Sequence, residues 1–560
     1  MKKNIILFVL LVAAMAVGAQ NPYLAAVNNE DEVVHIEQWQ RHAARPLQAI
    51  VKLQDYSNFT IMVKSEKQEV KSETNGRVAS PAIQAVLDSF IVESVEQLCP
   101  TFVMPKTPRS SASYGGGEVT DHDLSQLYLI TLSAESPKRE HELIDALSAL
   151  AEVEYAEPNY LCYALGVDSD SPACPAGSRN PGDLGNYFAC GSVVDATYCA
   201  YTDFQDFNDF VSKASGSPKT GSAPNDPMYS LQWGITACRI DSLLTAPKRD
   251  ASWRPIIAII DTGVDVDHAD LSGNIWTNSG EQNGAAGQDD DGNGFADDVH
   301  GWDFVNQTGD MHDFNSHGTH CAGIAGAVTG NGIGIAGACP DAWIMPVTVM
   351  QSDGTGDIAT IVRGINYAAQ NGADVISMSI GTYAYSTAME QALAVAYHTA
   401  VLVGAAGNDG LHIDPHCCPE LGHAFLDGPM FPGAFTFVLG IQAMQQGGGL
   451  AVFSNSDCDG ASFSQYDEDQ MYNYELSAPG VGIMSTVPNG GYRSYNGTSM
   501  ACPLVAGGVA SLLQRRSYAT KEILFGDLIN LSHEFLPVDF WAVYNADSIS
   551  PAILQCVTIE

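Results

Sequence analysis

The stretch "PIIAIIDTGVDVDHADL", residues 255–271, sets the architecture. It is an almost unbroken apolar run of Ile and Ala that ends on a carboxylate, Asp261, and a Gly-containing turn. A strand that is apolar at successive positions has no solvent face, so both of its faces need cover. Four similar runs follow: "AWIMPVTVM" (342–350), "ADVISMSIG" (373–381), "AVLVGAAGN" (400–408) and "FTFVLGI" (435–441). Between them lie helical runs of small residues at 358–372 and 386–400. The alternation predicts an α/β fold over residues 226–515, a doubly wound parallel sheet with helices on both faces. Functional side chains then belong just past the carboxyl ends of the strands.

The flanking sequence reads differently. Residues 1–19, with two lysines and an apolar run from Ile5 to Val17, have the layout of a signal peptide, so the chain is expected to be secreted, extracellular or periplasmic. That run is short for a membrane span, and no integral membrane segment is expected. Residues 20–161 alternate as a small α+β domain of βαββαβ, ferredoxin-like order. Its expected strands are 59–64, 91–98, 126–132 and 153–160; its helices are 80–90 and 136–150. In the second helix Ser136 is the expected N-cap and Pro137 the first residue, with Leu143, Leu147 and Leu150 on one face. "PKTPRSSASYGGGE" (105–118) reads as an irregular interruption. Residues 162–225 read as a linker in which Cys174, Cys190 and Cys199 form a local disulfide knot, and 516–560 as a short C-terminal extension. Thirteen cysteines in an exported chain permit disulfides, with connectivity left open. The net charge of -40, from 65 acidic and 25 basic residues, excludes nucleic acid as a partner and favours cations.

Three further segments carry chemistry. Asp261 alone is equally a turn cap. "HDFNSHGTHCAGIAGA" (312–327) holds His317 and His320, three apart as in some metal sites, but without the Glu of an HExxH motif or a third ligand at clear spacing. "NGTSMACPLVAGGVASLLQ" (496–514) places Thr498 or Ser499 as a helix cap. A hydroxyl becomes a nucleophile only when a base takes its proton and a carboxylate orients that base. "VGAAGND" (403–409) adds Asn408, an amide placed after a strand where it can donate to an oxyanion.

Taken in order, "IIDTGVD" (259–265), "HGTHCAG" (317–323), "AAGN" (405–408) and "NGTSMACP" (496–503) resemble the signature segments of subtilisin-like serine proteases, the subtilase family. The resemblance implies that Asp261 orients the imidazole, His317 is general base and acid, Ser499 is the nucleophile and Asn408 belongs to the oxyanion hole. It also implies substrate-binding backbone at Gly354, Thr355 and Gly356 within "SDGTG", and at Ser379, Ile380 and Gly381 within "SMSIG". "VEYAEPNY" (153–160) resembles the end of the family's propeptide and "NDPMYSLQW" (225–233) the start of its mature enzyme. The expected partners are therefore protein or peptide substrates, with the chain's own propeptide as an intramolecular inhibitor made in a self-processed zymogen. An apolar side chain is expected before the scissile bond. Leu504 stands where the family usually has a histidine, Cys321 follows the catalytic histidine's turn as a buried thiol, and "HIDPHCCPELGHAFLDG" (412–428) replaces a short polar loop.

"GQDDDGNGFADDVHGWDF" (287–304) offers Asp289, Asp291, Asn293, the carbonyl of Phe295 and Asp298 as an oxygen set for a structural Ca²⁺, although no Glu occupies the twelfth position of an EF-hand. Two rival functions remain. One is an inactive secreted binding protein that keeps the fold. The other is an acid-acting relative with Glu for His, which the intact "HGTH" opposes.

Overall fold

The structure, a computed structural model, describes residues 43–54, 59–60, 78–114, 117–168, 223–238, 240, 247–411, 429–446, 449–456 and 474–515, with 521, 524, 528 and 552–553. The signal segment, most of the 162–225 linker with its three cysteines, the 412–428 loop and nearly all of the C-terminal extension lie outside the described residues.

An N-terminal unit comes first. It comprises β1 (Ala44–Leu53), α1 (Pro81–Leu87), β2 (Val92–Gln97), β3 (Leu127–Leu132), α2 (Glu140–Ser148) and β4 (Val153–Ala164). Its sheet is antiparallel in the order β4-β1-β3-β2. The first strand is Ala44–Leu53, not 59–64; of the latter only Phe59–Thr60 is a described strand, paired with Val78–Ala79. Ser80 caps α1 by accepting from the Ile83 N–H at 3.2 Å. Helix α2 starts at Glu140, later than Ser136 and Pro137 imply, because Glu142 reaches back to accept the Arg139 N–H at 3.0 Å. Leu143 and Leu147 are fully buried against Ala49, Val51, Ile130 and Leu132, and Leu150 packs at the edge of the same cluster. Residues 105–114 and 117–121 are more regular than expected: Ser110–Ala112 pairs with Glu118–Thr120, and Arg109 holds Asp121 through two side-chain bonds of 2.9 and 2.8 Å.

The second unit contains β5 (Ile256–Asp261), α3 (His317–Gly326), β6 (Trp343–Thr348), β7 (Thr355–Asp357), α4 (Ile358–Gln370), β8 (Val375–Met378), β9 (Ile380–Gly381), α5 (Thr387–Tyr397) and β10 (Val401–Ala405). It continues through β11 (Leu439–Met444), β12 (Leu476–Pro479), β13 (Ile483–Val487), β14 (Gly491–Asn496) and α6 (Thr498–Arg515). The parallel sheet runs β6-β5-β8-β10-β11-β12, with Trp302–Asp303 and Ala552–Ile553 at its edges. Every residue of β8, β10, β11 and β12 is buried, which in a strand requires cover on both faces. Helix α3 packs on α6, and α4 on α5.

The two units meet along α4, α5 and the cleft strands. Glu157 of β4 accepts from the Ser386 hydroxyl (2.6 Å) and from the Thr387 and Ala388 N–H groups (2.9 and 3.2 Å), capping α5. Asn159 accepts the Ala359 N–H at 2.9 Å in the first turn of α4. The 105–121 segment adds Ala112, whose carbonyl accepts the Tyr397 hydroxyl at 2.9 Å, and Tyr114, edge-on to the Tyr397 ring at 5.5 Å.

Candidate functional site

Strand β5 delivers Asp261 to the carboxyl edge of the sheet, 1% exposed. Its Oδ1 accepts the Thr262 N–H and lies 2.7 Å from His317 Nδ1, the first residue of α3. Asp261 and His317 are thus positioned as a catalytic dyad. Burial alone would push the imidazole pKa down, but the Asp261 carboxylate and neighbouring Cys321 hold it well above the ordinary histidine range. Cys321 Sγ is 3.9 Å from His317 Nδ1 and fully buried, which raises its own pKa. His320 takes no part; it stacks on Tyr495 at 4.2 Å and its Nε2 meets the Arg493 carbonyl.

Ser499 is the second residue of α6 and is fully buried. Its Oγ donates to the Ser379 carbonyl at 3.0 Å, and His317 Nε2 has no hydrogen-bond partner. Pro503, four residues on, has no N–H for the Ser499 carbonyl. The Ser379 hydroxyl (2.9 Å) and the Cys321 thiol (3.4 Å) donate to that carbonyl instead, tying the first turn of α6 to the residue between β8 and β9 and to α3. Asn408 accepts the Thr498 N–H and hydroxyl through Oδ1, at 2.8 and 2.9 Å, which turns its Nδ2 the other way. Gly497 has φ +156, and a Cβ there would sit 3.2 Å from Asn408 Nδ2 and 2.7 Å from the Leu165 carbonyl oxygen. A bare backbone at 497 lets these two groups face each other.

The Leu165 oxygen belongs to the chain's own N-terminal unit, which enters the site as an extended strand. Leu161, Cys162 and Tyr163 pair antiparallel with Asp357, Gly356 and Thr355 of β7, and Tyr163 and Ala164 with Gly381 and Ile380 of β9. The Ala164 N–H donates to the Gly354 carbonyl at 2.9 Å and the Leu165 N–H to the Ser379 carbonyl at 3.1 Å. The Ser499 N–H donates to the Leu165 carbonyl at 3.2 Å. Val167 and Asp168 then pair with Asn496 and Tyr495 of β14. The backbone positions 354–356 and 379–381 therefore flank a peptide segment already in place. Leu165 and Met430, buried beside Gly381, were not foreseen from sequence; nothing local marks Met430 as part of a cleft.

In the acidic loop, carboxylate oxygens of Glu281, Asp291 and Asp298 converge within 4.8 Å. Asn278 Nδ2 donates to both aspartates at 2.8 Å, and the Tyr367 hydroxyl donates to Asp298 at 2.6 Å. Burial, opposed by these hydrogen bonds and aided by Asp291, pushes the Asp298 carboxyl up to about 6. This all-oxygen group fits a hard divalent cation. Asp289 is not in the group: its carboxylate accepts the N–H groups of Gly292, Asn293 and Gly294 in its own turn. Asn293 donates to Asp291 and Asp298, and the Phe295 ring packs against Trp302, Phe304 and Tyr367. Glu281 sits outside the repeating acidic run, so spacing gave it no signal. Cys99, Cys162, Cys321, Cys339 and Cys502 are buried free thiols, and Cys238 is buried as well. Among the described residues no helix is long and apolar enough to cross a membrane.

Residues 254–530 match the model of the subtilase family, peptidase S8. Thermitase from Thermoactinomyces vulgaris is 34% identical over 54% of this chain and 88% of its own length. Subtilisin DY from Bacillus licheniformis is 32% identical over 51% of this chain and 85% of its own length. Subtilisin-like protease 1 of Plasmodium berghei (strain Anka) is 31% identical, over 55% of this chain but only 51% of its own length.

Proposed function

The chain belongs to the subtilase family, and from that premise we propose a secreted serine endopeptidase made as a self-processed zymogen. It hydrolyses peptide bonds of protein substrates through an acyl-enzyme. The observation that carries this reading is the buried Asp261–His317 pair, 2.7 Å apart, beside a peptide whose carbonyl takes the Ser499 N–H at 3.2 Å. Asp261 fixes the imidazole with Nδ1 protonated. His317 Nε2 takes the Ser499 proton as the hydroxyl leaves its Ser379 acceptor, then returns it to the leaving amine. The Ser499 N–H and Asn408 Nδ2 stabilise the tetrahedral oxyanion, in a buried setting where each such donor is worth several kcal/mol, roughly 3 by precedent. Gly354, Thr355 and Gly356 on one side, and Ser379, Ile380 and Gly381 on the other, grip an extended substrate by its backbone, which gives hold without sequence choice.

Residues 20–161, continuing along β4 into the cleft, act in this reading as a ferredoxin-like propeptide that inhibits until it is cut away. Residues 226–515 are the peptidase. The signal-like residues 1–19 direct export. Glu281, Asp291 and Asp298 hold a structural Ca²⁺, which offsets the mutual repulsion of three close carboxylates.

A phosphonylating serine reagent should label Ser499 in the mature enzyme. Ser499→Ala should lose activity on the order of a million-fold and accumulate the uncut chain. Undiminished proteolysis in that variant would overturn the assignment of Ser499, whereas a folded wild-type chain that takes no label and cuts no substrate would leave an inactive binding protein as the reading.

A further inference from the structure

The cleft holds a defined register of the chain's own sequence, and that register names a bond. Leu165 is the residue whose carbonyl oxygen receives the Ser499 N–H and whose N–H is held by the Ser379 carbonyl. On the far side, the next residue, Gly166, lies under the unpartnered His317 Nε2: a Cβ on Gly166 would be 3.1 Å from that nitrogen and 3.2 Å from Met500 Cε. The base is therefore next to the nitrogen that must leave, and only a residue without a side chain fits there without displacement. Pairing continues past the bond at Val167 and Asp168, so both sides of it are anchored.

The side chain before the bond meets a built pocket. Leu165 is fully buried. A Cβ on Gly381 would sit 3.0 Å from Leu165 Cδ1 and 2.7 Å from Met430 Cγ, so the two side chains meet where Gly381 has none. Met430 is itself 1% exposed, and its Cε reaches to 3.0 Å from the Cβ position of Gly407, just before Asn408. Its backbone is pinned by the Tyr474 hydroxyl, which accepts the Met430 N–H at 2.9 Å. The thioether thus stretches from the substrate-pairing strand to the oxyanion turn and closes the pocket beside Leu165.

The geometry points to two linked assignments: the chain's first self-cleavage is at Leu165–Gly166, and Met430 is the specificity-determining residue that restricts the preceding position to aliphatic side chains of about leucine size. This rests on the endopeptidase reading. In the step itself, Ser499 Oγ bonds to the Leu165 carbonyl carbon while its proton passes to His317 Nε2. The Leu165–Gly166 C–N bond breaks and that proton goes to the Gly166 nitrogen. Water then hydrolyses the Leu165 ester, regenerating the Ser499 hydroxyl and leaving a Leu165 carboxylate. The new chain begins at Gly166, well before "NDPMYSLQW" at 225, and carries Cys174, Cys190 and Cys199 with it unless cut again.

The test uses the full chain and a peptide series. Mass spectrometry of the earliest products should give an N-terminal fragment ending at Leu165 and a partner starting at Gly166, both absent in Ser499→Ala. Quenched peptides built on residues 161–168, varied only at the Leu165 position, should rank Leu and Met above Ala and Phe by about 10- to 200-fold in kcat/KM, with Lys and Asp lowest. Met430→Ala should shift the Phe/Leu ratio toward Phe by at least about tenfold, whereas Met430→Leu should keep the wild-type ranking and so control for folding. Active enzyme that first cuts elsewhere, or a Phe/Leu ratio unmoved by Met430→Ala, overturns the inference alone. No hydrolysis of any peptide by the labelled, folded chain overturns the underlying reading and the inference with it.

Discussion

The parallel sheet of the peptidase unit and the antiparallel sheet of the N-terminal unit bury their faces by different means. The first is covered by α3 and α6 and by α4 and α5, all from its own unit. The second is covered on one face by α1 and α2, where Ala49, Val51, Ile130 and Leu132 meet Leu143 and Leu147. Its alternate residues Ile50, Leu127 and Leu129 face the other way and belong to the core that continues into the peptidase. Lys52 on that face is fully buried and pairs with Glu154 at 3.1 Å. Taken away from its partner, the N-terminal sheet would expose three large aliphatic residues. At about 1.5–3 kcal/mol each, that is comparable with the roughly 5–15 kcal/mol that holds a whole domain together. The sheet of one unit is covered by its own helices; the sheet of the other is finished by its docking.

The largest effect that can test this division is chemical, not structural. Asp261→Asn should lower turnover by about 10⁴, with a loss of stability largest at low pH, where the charged Asp261–His317 pair contributes. The pH dependence follows from the raised His317 pKa. The imidazole must be neutral to act as base, so self-cleavage should climb as pH rises through a value above the ordinary histidine range. The same shift contributes stability that is present below about pH 6.5, the unfolded value, and lost as pH rises through the folded one. Removing the carboxylate's charge should move the ascending limb of the rate profile to lower pH. A profile that stays in place would break the link between Asp261 and the base.

A smaller effect separates the two faces of the N-terminal sheet. Leu147→Ala, in the cluster under α2, should cost about 2–5 kcal/mol within that unit. Leu129→Ala, on the docked face, should mainly weaken the union of the two units. Hydrogen exchange on the uncut Ser499→Ala chain distinguishes them: the first should deprotect α2 and β1 with β5 unchanged, the second should deprotect the contacts at Glu157 and Asn159. Equal loss in both units after Leu147→Ala would mean that they share one core without division. The smallest expected effect is that of chelation. Stripping Ca²⁺ should lower the melting midpoint of the peptidase unit by a few degrees, about 1–2 kcal/mol, and leave hydrogen exchange in α2 untouched. An unchanged midpoint would reduce the acidic loop to a solvated turn.

Much of the peptidase fold was legible because full burial makes a strand's sequence continuously apolar. "IIAIID" and "VLVGA" have no competing reading of similar strength. The N-terminal unit was harder. Its first strand, "ARPLQAIVKL", contains a proline, a buried lysine and Leu47 at φ 64, with a register shift between Ala44 and Ala49. The more regular "FTIMVK" competed for the assignment. Asp261, His317, Asn408 and Ser499 each sit in a short segment with a recognisable pattern. Met430 and Glu281 do not: a methionine reads as core and a single glutamate as surface until tertiary contacts bring them to a cleft or to a carboxylate cluster. Leu165 lay past the expected domain end because its place is fixed by hydrogen bonds with Ser379 and Ser499, far along the chain.

The continuity of β4 into the cleft has one more consequence. While the chain is intact, the strand in the cleft faces that site at the effective concentration that a covalent link imposes, on the order of millimolar for a flexible one. Once the link is cut, the same contacts, Glu157 on α5 and Asn159 on α4 among them, compete as a separate molecule at whatever concentration the surroundings hold. On the proposed reading, cleavage would arm the enzyme without releasing it, and dilution would set the moment at which the site opens.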